Sequence, residues 1–435
     1  MMQNVFSSFK IKELRDRILY VFFALAVFVL AVQVTVPGVN YQVWQRMLQH
    51  GDIFQFLGLI SGGALNNFSV CAMGITPYIN ASIIMQLLTV VIPKLHELQK
   101  EGGDMGRRKI SQYIRSLTMG LALLQATMMV VGLSRYRGES GETVFYHTGI
   151  FYLVMVIISL TAGTAFLMWL GEQITDKGIG NGVSLLIFAG IVLRYPQYVS
   201  QTLKLSQTAG ASYYANLTAF LAIAVLLVMS IILITIGVRK IPIQYTKRVV
   251  GRRIVGGAST YLPIRVNNAG VISIIFAISI LYLPPTLTRF LHPDPGTLLY
   301  TVKTFVDNLF NPAGWFYNLT YALLVILFTY FYSAITFNIS DVADNLKKSG
   351  GFVPGIRPGR PTVDFLERVL NRITFVSAIY LAFIAVAPTY VMRLTNVTSF
   401  YLGSTSLLII VGVALDTMQQ IEARLVMRHY QGFMK

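Results

Sequence analysis

Side chains able to do chemistry are few in this sequence and poorly spaced for it. The five histidines, His50, His96, His147, His292 and His429, stand far apart, and no pair has the short spacing of a zinc site. Cys71 is the one cysteine, so neither an internal disulfide nor a thiolate cluster can form. No Walker A pattern occurs. The glycines of Gly178-Ile179-Gly180-Asn181-Gly182 follow no strand, so they read as a sharp turn and not as a phosphate cradle. Within the long apolar runs the polar groups are neutral, chiefly Asn80, Gln86, Thr161 and Thr164, and Asp416 stands just past the last run. Ion-coupled carriers place carboxylates, His or Arg inside the bilayer, where such groups are costly and therefore functional. Their near absence weighs against proton- or ion-coupled transport. What does recur is aliphatic: Ile75, Ile79 and Ile83 repeat at i, i+4 and i+8, on one helical face. By spacing alone that is ordinary packing.

The elements that must position these residues are membrane helices. Of 435 residues 54% are hydrophobic and 12% charged, where a soluble chain carries about 25% charged. Ten apolar runs stand out, at 18–36, 73–92, 117–133, 150–170, 183–199, 217–238, 269–287, 315–337, 373–392 and 400–415. Arg194 and Pro196 interrupt the fifth, which is the weakest. Residues 1–17 lack the pattern of a cleaved leader. With the N-terminus in the cytoplasm, 27 of the 35 Lys and Arg fall inside and 8 outside. That asymmetry places both termini in the cytoplasm. Ten spans divide as five plus five, with residues 1–204 as one half and 205–435 as the other. An odd number per half makes the second half inverted relative to the first.

Two regions break the regularity. Residues 54–68 are apolar but cut by Ser61-Gly62-Gly63 and followed by Asn66 and Asn67, too short to span roughly 30 Å of hydrocarbon. Irregular backbone cannot face lipid, so this half-inserted segment belongs inside the protein, as a movable stopper leading into the helix at 73–92. The second irregularity is cytoplasmic. Loops 239–265 and 338–372 are basic and punctuated by paired turn residues, which suggests a docking platform for an acidic or RNA-containing partner.

Several stretches resemble the SecY family, the channel subunits of the bacterial Sec protein translocon. They are SGGAL (61–65), GEQITDKGIGNGVSLLIFAGIV (171–192), KRVVGRRIVGGASTYLPIRVNNAGVI (247–272), KKSGGFVPGIRPGRPT (347–362) and FYLGSTSLLIIVGVALD (400–416). The resemblance covers essentially the whole chain. It departs at Ser273, where many relatives have proline, and in the short tail after His429.

That resemblance implies an all-α polytopic membrane protein of ten transmembrane helices, two inverted five-helix halves around an hourglass pore with a plug helix. It implies a pore ring of Ile75, Ile79, Ile187, Ile275 and Ile409, with Ile83 as a further candidate. It puts the plug near 54–68, including Phe56, Leu57, Ser61, Gly62 and Gly63. The front, between the second and third helices and the seventh and eighth, would open to lipid, with Asn80 and Gln86 closing the seam by hydrogen bonds. Arg252, Arg253 and Arg357, with Lys347 and Lys348, would serve the SecA motor ATPase or the ribosome. SecE and SecG would be membrane partners, and secretory preproteins, signal sequences and membrane lipid the other contacts. No cofactor, metal or catalytic residue is implied, and the location would be a bacterial plasma membrane. The alternatives are an ion-coupled small-solute transporter, which needs a polar site at mid-membrane, and a pore-less insertase scaffold, which leaves the glycine-hinged segment unexplained.

Overall fold

The computed structural model describes residues 11–49, 63–100, 102–135, 142–147, 149–208, 211–245, 248–250, 253–255, 259–289, 296–311, 314–397 and 404–432. Its helices are α1 (Lys12–Gln33), α2 (Tyr41–Gln49), α3 (Thr76–Val91), α4 (Pro93–Lys100), α5 (Gly103–Arg135), α6 (Ile150–Lys177), α7 (Gly182–Val192) and α8 (Tyr195–Thr208). They continue as α9 (Ala211–Ile236), α10 (Gly270–Arg289), α11 (Leu298–Leu309), α12 (Trp315–Thr336), α13 (Ile339–Lys348), α14 (Arg360–Thr395) and α15 (Ser404–Gly432). Among the described residues eight helical stretches are long and apolar enough to cross a bilayer, and α7 and α8 count there as one, Gly182–Gln207. The fifth run is thus helical despite Arg194 and Pro196, with only a turn at residues 193–194.

The run at 73–92 departs from expectation. Residues 70–75 are turns, Gly74 is left-handed at φ +59, and Pro77 opens α3. Proline is favoured in a first turn and glycine supplies the positive φ before it. Pro93 then breaks the helix, and α4 leaves at 106°. Sixteen residues reach only about 24 Å, so α3 alone is shorter than the hydrocarbon layer. The seventh span is also short in its apolar part, Gly270–Leu281.

The basic loops are more structured than turn residues alone implied. Strand β1 (Val238–Tyr245) pairs antiparallel with β4 (Ser259–Arg265), from Val238 opposite Arg265 to Gln244 opposite Ser259. The short strands β2 (Arg248–Val250) and β3 (Arg253–Val255) form the tip, and β5 (Gly351–Phe352) adds to the other edge of β1. The second loop holds α13, capped by the Asn338 side chain, which accepts from the Asp341 N–H at 3.3 Å. From Arg360 onward it is already α14, started by Gly359 and Pro361. The two loops share a small core of Ile241, Ile264, Val353, Leu366 and Leu370. They are one body.

Candidate functional site

The centre of the fold is an uncharged apolar cluster that collects side chains from helices distant in sequence. Ile75, Ile187 and Ile409 are 3%, 4% and 4% exposed and belong to it, and half-buried Ile79 and Ile275 pack against it. Around them stand Phe28, Leu167, Ile174 and Leu186. Local sequence sets these positions. Asn181 caps α7, accepting from the Ser184 N–H at 3.2 Å. Gly182 lets the start of α7 close on α6, since an added Cβ there would lie 1.8 Å from the Gly171 carbonyl oxygen. Ile83 lies elsewhere. It is buried in a second cluster whose other buried members, among them Ile274, Phe276, Ile278 and Leu281, come from α9 to α15, with Val397 two residues past the end of α14.

The environment changes along the helices on either side of these isoleucines. At the ends of the spans that carry the basic loops, a cleft of about 470 Å³ is lined by Asn181, Ser184, Arg265, Asp416, Thr417 and Gln420. The Gly180 N–H donates to Gln420 Oε1 at 3.0 Å across it, and Arg265 lies 3.8 Å from Asp416. In the other direction lies the end of the predicted plug. Phe56, Leu57, Ser61 and Gly62 fall outside the described residues, but Gly63 is described and left-handed at φ +88. Ala64, fully buried, joins the isoleucine cluster. Next to it the Trp44 indole donates to the Leu65 carbonyl at 2.8 Å, and Trp44 packs edge-on against Phe68 with ring centroids 4.9 Å apart. Trp44 on α2 therefore pins this turn to a third cluster, which it shares with Leu65, Phe68, Phe145 and Leu160.

Asn80 and Gln86 are both half-buried on α3, and neither side chain is hydrogen-bonded among the described residues. The expected seam-closing hydrogen bonds are not made among the described residues. What joins α3 to the later helices is apolar, through Ile83 with Leu87 packed alongside. Of the predicted partner-binding cations, Arg252 lies outside the described residues and Arg253 sits on β3. Lys347 and Lys348 are exposed in the last turn of α13, where the helix dipole favours cations. Arg357 is exposed between Gly355 and Gly359, both left-handed, and its carbonyl accepts from the Thr362 hydroxyl at 2.9 Å.

Two residues gain meaning only from the structure. Cys71 is buried in the isoleucine cluster, and burial pushes its thiol up to about 11. It should resist maleimide at neutral pH for as long as the cluster stays closed, and label fully once the protein is denatured. Rapid labelling of native protein, followed by mass spectrometry, would show that the cluster admits water. Arg194, counted from sequence among outer-side cations, is instead 6% exposed at the turn between α7 and α8. Its signal in the sequence was a single charge inside an apolar run.

Comparison with known proteins decides the family. A SecY family model matches residues 69–418. The chain belongs to the SecY family. The protein translocase subunit SecY of Thermotoga maritima is 44% identical over 445 residues, covering 100% of this chain and 98% of that one. SecY of Halalkalibacterium halodurans is 43% identical over 441 residues, with both chains covered in full. At the level of fold, a solved structure of a protein conducting channel matches with a TM-score of 0.59 at 16% identity, covering 95% of this chain and 93% of that one. A second, from a study of the SecY plug domain, matches at 0.62 with the same identity and coverage. As a member of the SecY family the chain is a channel subunit of a protein translocase, multi-pass in the membrane, and a pore, not an enzyme.

Proposed function

We propose that this chain is a passive, gated pore through which unfolded polypeptides cross a bacterial plasma membrane, with both termini in the cytoplasm. Two halves, 1–204 and 205–435, close on each other at a waist formed by Ile75, Ile79, Ile187, Ile275 and Ile409. The observation that carries the reading is the gathering of these five side chains into one uncharged cluster, with a polar cleft beyond it. A ring of branched aliphatics dewets, so it blocks ions without using charge. It also yields to an extended chain, because no directional bond has to break. The segment at 54–68 plugs the outer side. The seam between α3 and α10 releases apolar segments into lipid, each Leu or Ile at mid-bilayer gaining about 0.3–0.6 kcal/mol. That seam is held by Ile83 and Leu87, and Asn80 and Gln86 line it without bonding.

Energy comes from outside the chain. The joined basic loops, with Lys347, Lys348 and Arg357 exposed and Arg253 on β3 at the hairpin tip, form with Arg252 the platform for the SecA motor or the ribosome. SecE, SecG and membrane lipid complete the assembly, and preproteins with their signal sequences are the cargo. A ribosome as partner is supported by likeness of fold to Sec61 in a canine ribosome-channel complex, at a TM-score of 0.56 and 15% identity. Proteoliposomes holding the chain with its membrane partners should protect a signal-bearing preprotein from added protease once SecA and ATP are supplied. No protected product would remove the reading. In the same assay Arg357→Glu should lower motor-driven export at least about tenfold, the effect of roughly 1.4 kcal/mol, and spare membrane integration. Equal losses in both would leave the loop only a folding role.

A further inference from the structure

Arg194 is a charge near the waist that this mechanism leaves unused. Its Nε and Nη2 are buried and have no hydrogen-bond partner. Its backbone is fixed, the carbonyl accepting from the N–H groups of Gln197 and Tyr198 at 3.1 and 3.2 Å. Its neighbours Leu193 and Tyr195 pack against the isoleucine cluster. A buried guanidinium without a partner is costly, and charges kept inside membrane spans mark pathways. Two further facts give its direction. Arg194 is seven residues beyond Ile187 and two past the end of α7, and because Leu193 keeps right-handed helical torsions it returns to nearly the same face about 10 Å further out. Its Nε and Nη2 also lie 3.7 and 3.8 Å from where a Cβ on Gly63 would stand, at the end of the plug segment. If Ile187 faces the axis, so does Arg194, one step past the waist on the exit side.

We propose that Arg194 discriminates the charge of the polypeptide in transit, its free N–H donors taking carboxylate side chains as they leave the waist and its charge opposing lysine and arginine. This rests on the pore reading above. A chain that has cleared a dry, neutral constriction meets a fixed cation before it reaches bulk water. Acidic residues are stabilised there and basic ones are held back.

The test uses three preproteins identical except for a run of four Asp, four Lys or four Ser in the mature part, translocated into proteoliposomes of the whole complex. With the wild-type chain the Asp run should pass faster than the Lys run by roughly fivefold, the effect of unit charges about 4 Å apart in a water-like medium. In R194Q and R194M, each normalised to the Ser substrate, that ratio should fall to about one, and R194K should keep it. A ratio unchanged in either neutral variant overturns the assignment. So does a wild-type ratio that collapses when chloride replaces gluconate at constant ionic strength, because a free anion would then be the occupant. Failure of all three substrates with the wild-type chain overturns the pore reading as well, so the two failures are told apart.

Discussion

Glycine in place of Ile187, Ile275 and Ile409 together should make the resting channel leak small ions, with planar-bilayer conductance about tenfold or more above background. The expectation follows from how the waist is closed. On the pore reading it excludes ions only while branched side chains fill it, since the described cluster is apolar, and glycine would leave room for a continuous column of water. Each buried isoleucine lost also costs about 2–5 kcal/mol, so a poorly folded variant could leak for trivial reasons. Ile83→Gly controls for this. Ile83 is buried to a similar degree, 6% exposed, but in the other cluster. Its loss should weaken the fold comparably and leave conductance at background. If I83G leaks as much as the triple variant, or the triple variant stays tight, the waist lies elsewhere.

A large effect on stability is expected at two glycines where α6 meets neighbouring backbone. An alanine Cβ at Gly182 would stand 1.8 Å from the Gly171 oxygen, and one at Gly163 would stand 2.0 Å from the Val70 oxygen. Neither oxygen belongs to a side chain that can turn away, so whole segments must part. Gly182→Ala would drive α7 off α6 and shift Ile187, while Gly163→Ala would push α6 from the turns that precede α3. Each should cost about 3 kcal/mol, seen as a lower melting temperature in detergent and poor accumulation in membranes. Gly120→Ala is the contrast. Gly120 is exposed on α5 with nothing within 4 Å of an added Cβ, so alanine there should be neutral or gain up to about 1 kcal/mol. Equal losses at all three positions would refute the close-approach argument.

How much of this could be read beforehand varies from residue to residue. The spans were legible because an apolar run of about 20 residues has few other meanings. The shortness of α3 was less so, since Gly74 and Pro77 sit in a stretch that is apolar throughout. Periodicity placed Ile75, Ile79 and Ile83 on one face but could not separate Ile83 from the others. That separation depends on which helices α3 meets along its length. Ile275 and Ile409 carried no local signal at all and came from motif likeness. For the basic loops, turn glycines indicated order but not kind. The alternation that buries Ile241 and Ile243 on β1 is only five residues long. Asn80 and Gln86 show what chemistry alone leaves open: their amides suggest bonds across a seam, and among the described residues their side chains make none. Arg194 was visible as a charge, but its burial arises from packing around the turn at 193–194.

The helix α14 runs 36 residues, about 54 Å, against roughly 30 Å of hydrocarbon. Its base, through Leu366 and Leu370, is embedded in the core shared by both basic loops, and further along Leu381, Ile384 and Ala385 sit in the cluster that also holds Ile83. It therefore runs unbroken from the core shared by the basic loops to the cluster that holds Ile83. On the proposed function, a partner docked on those loops would have one continuous helix through which to move the cluster around Ile83 without acting on the isoleucine cluster.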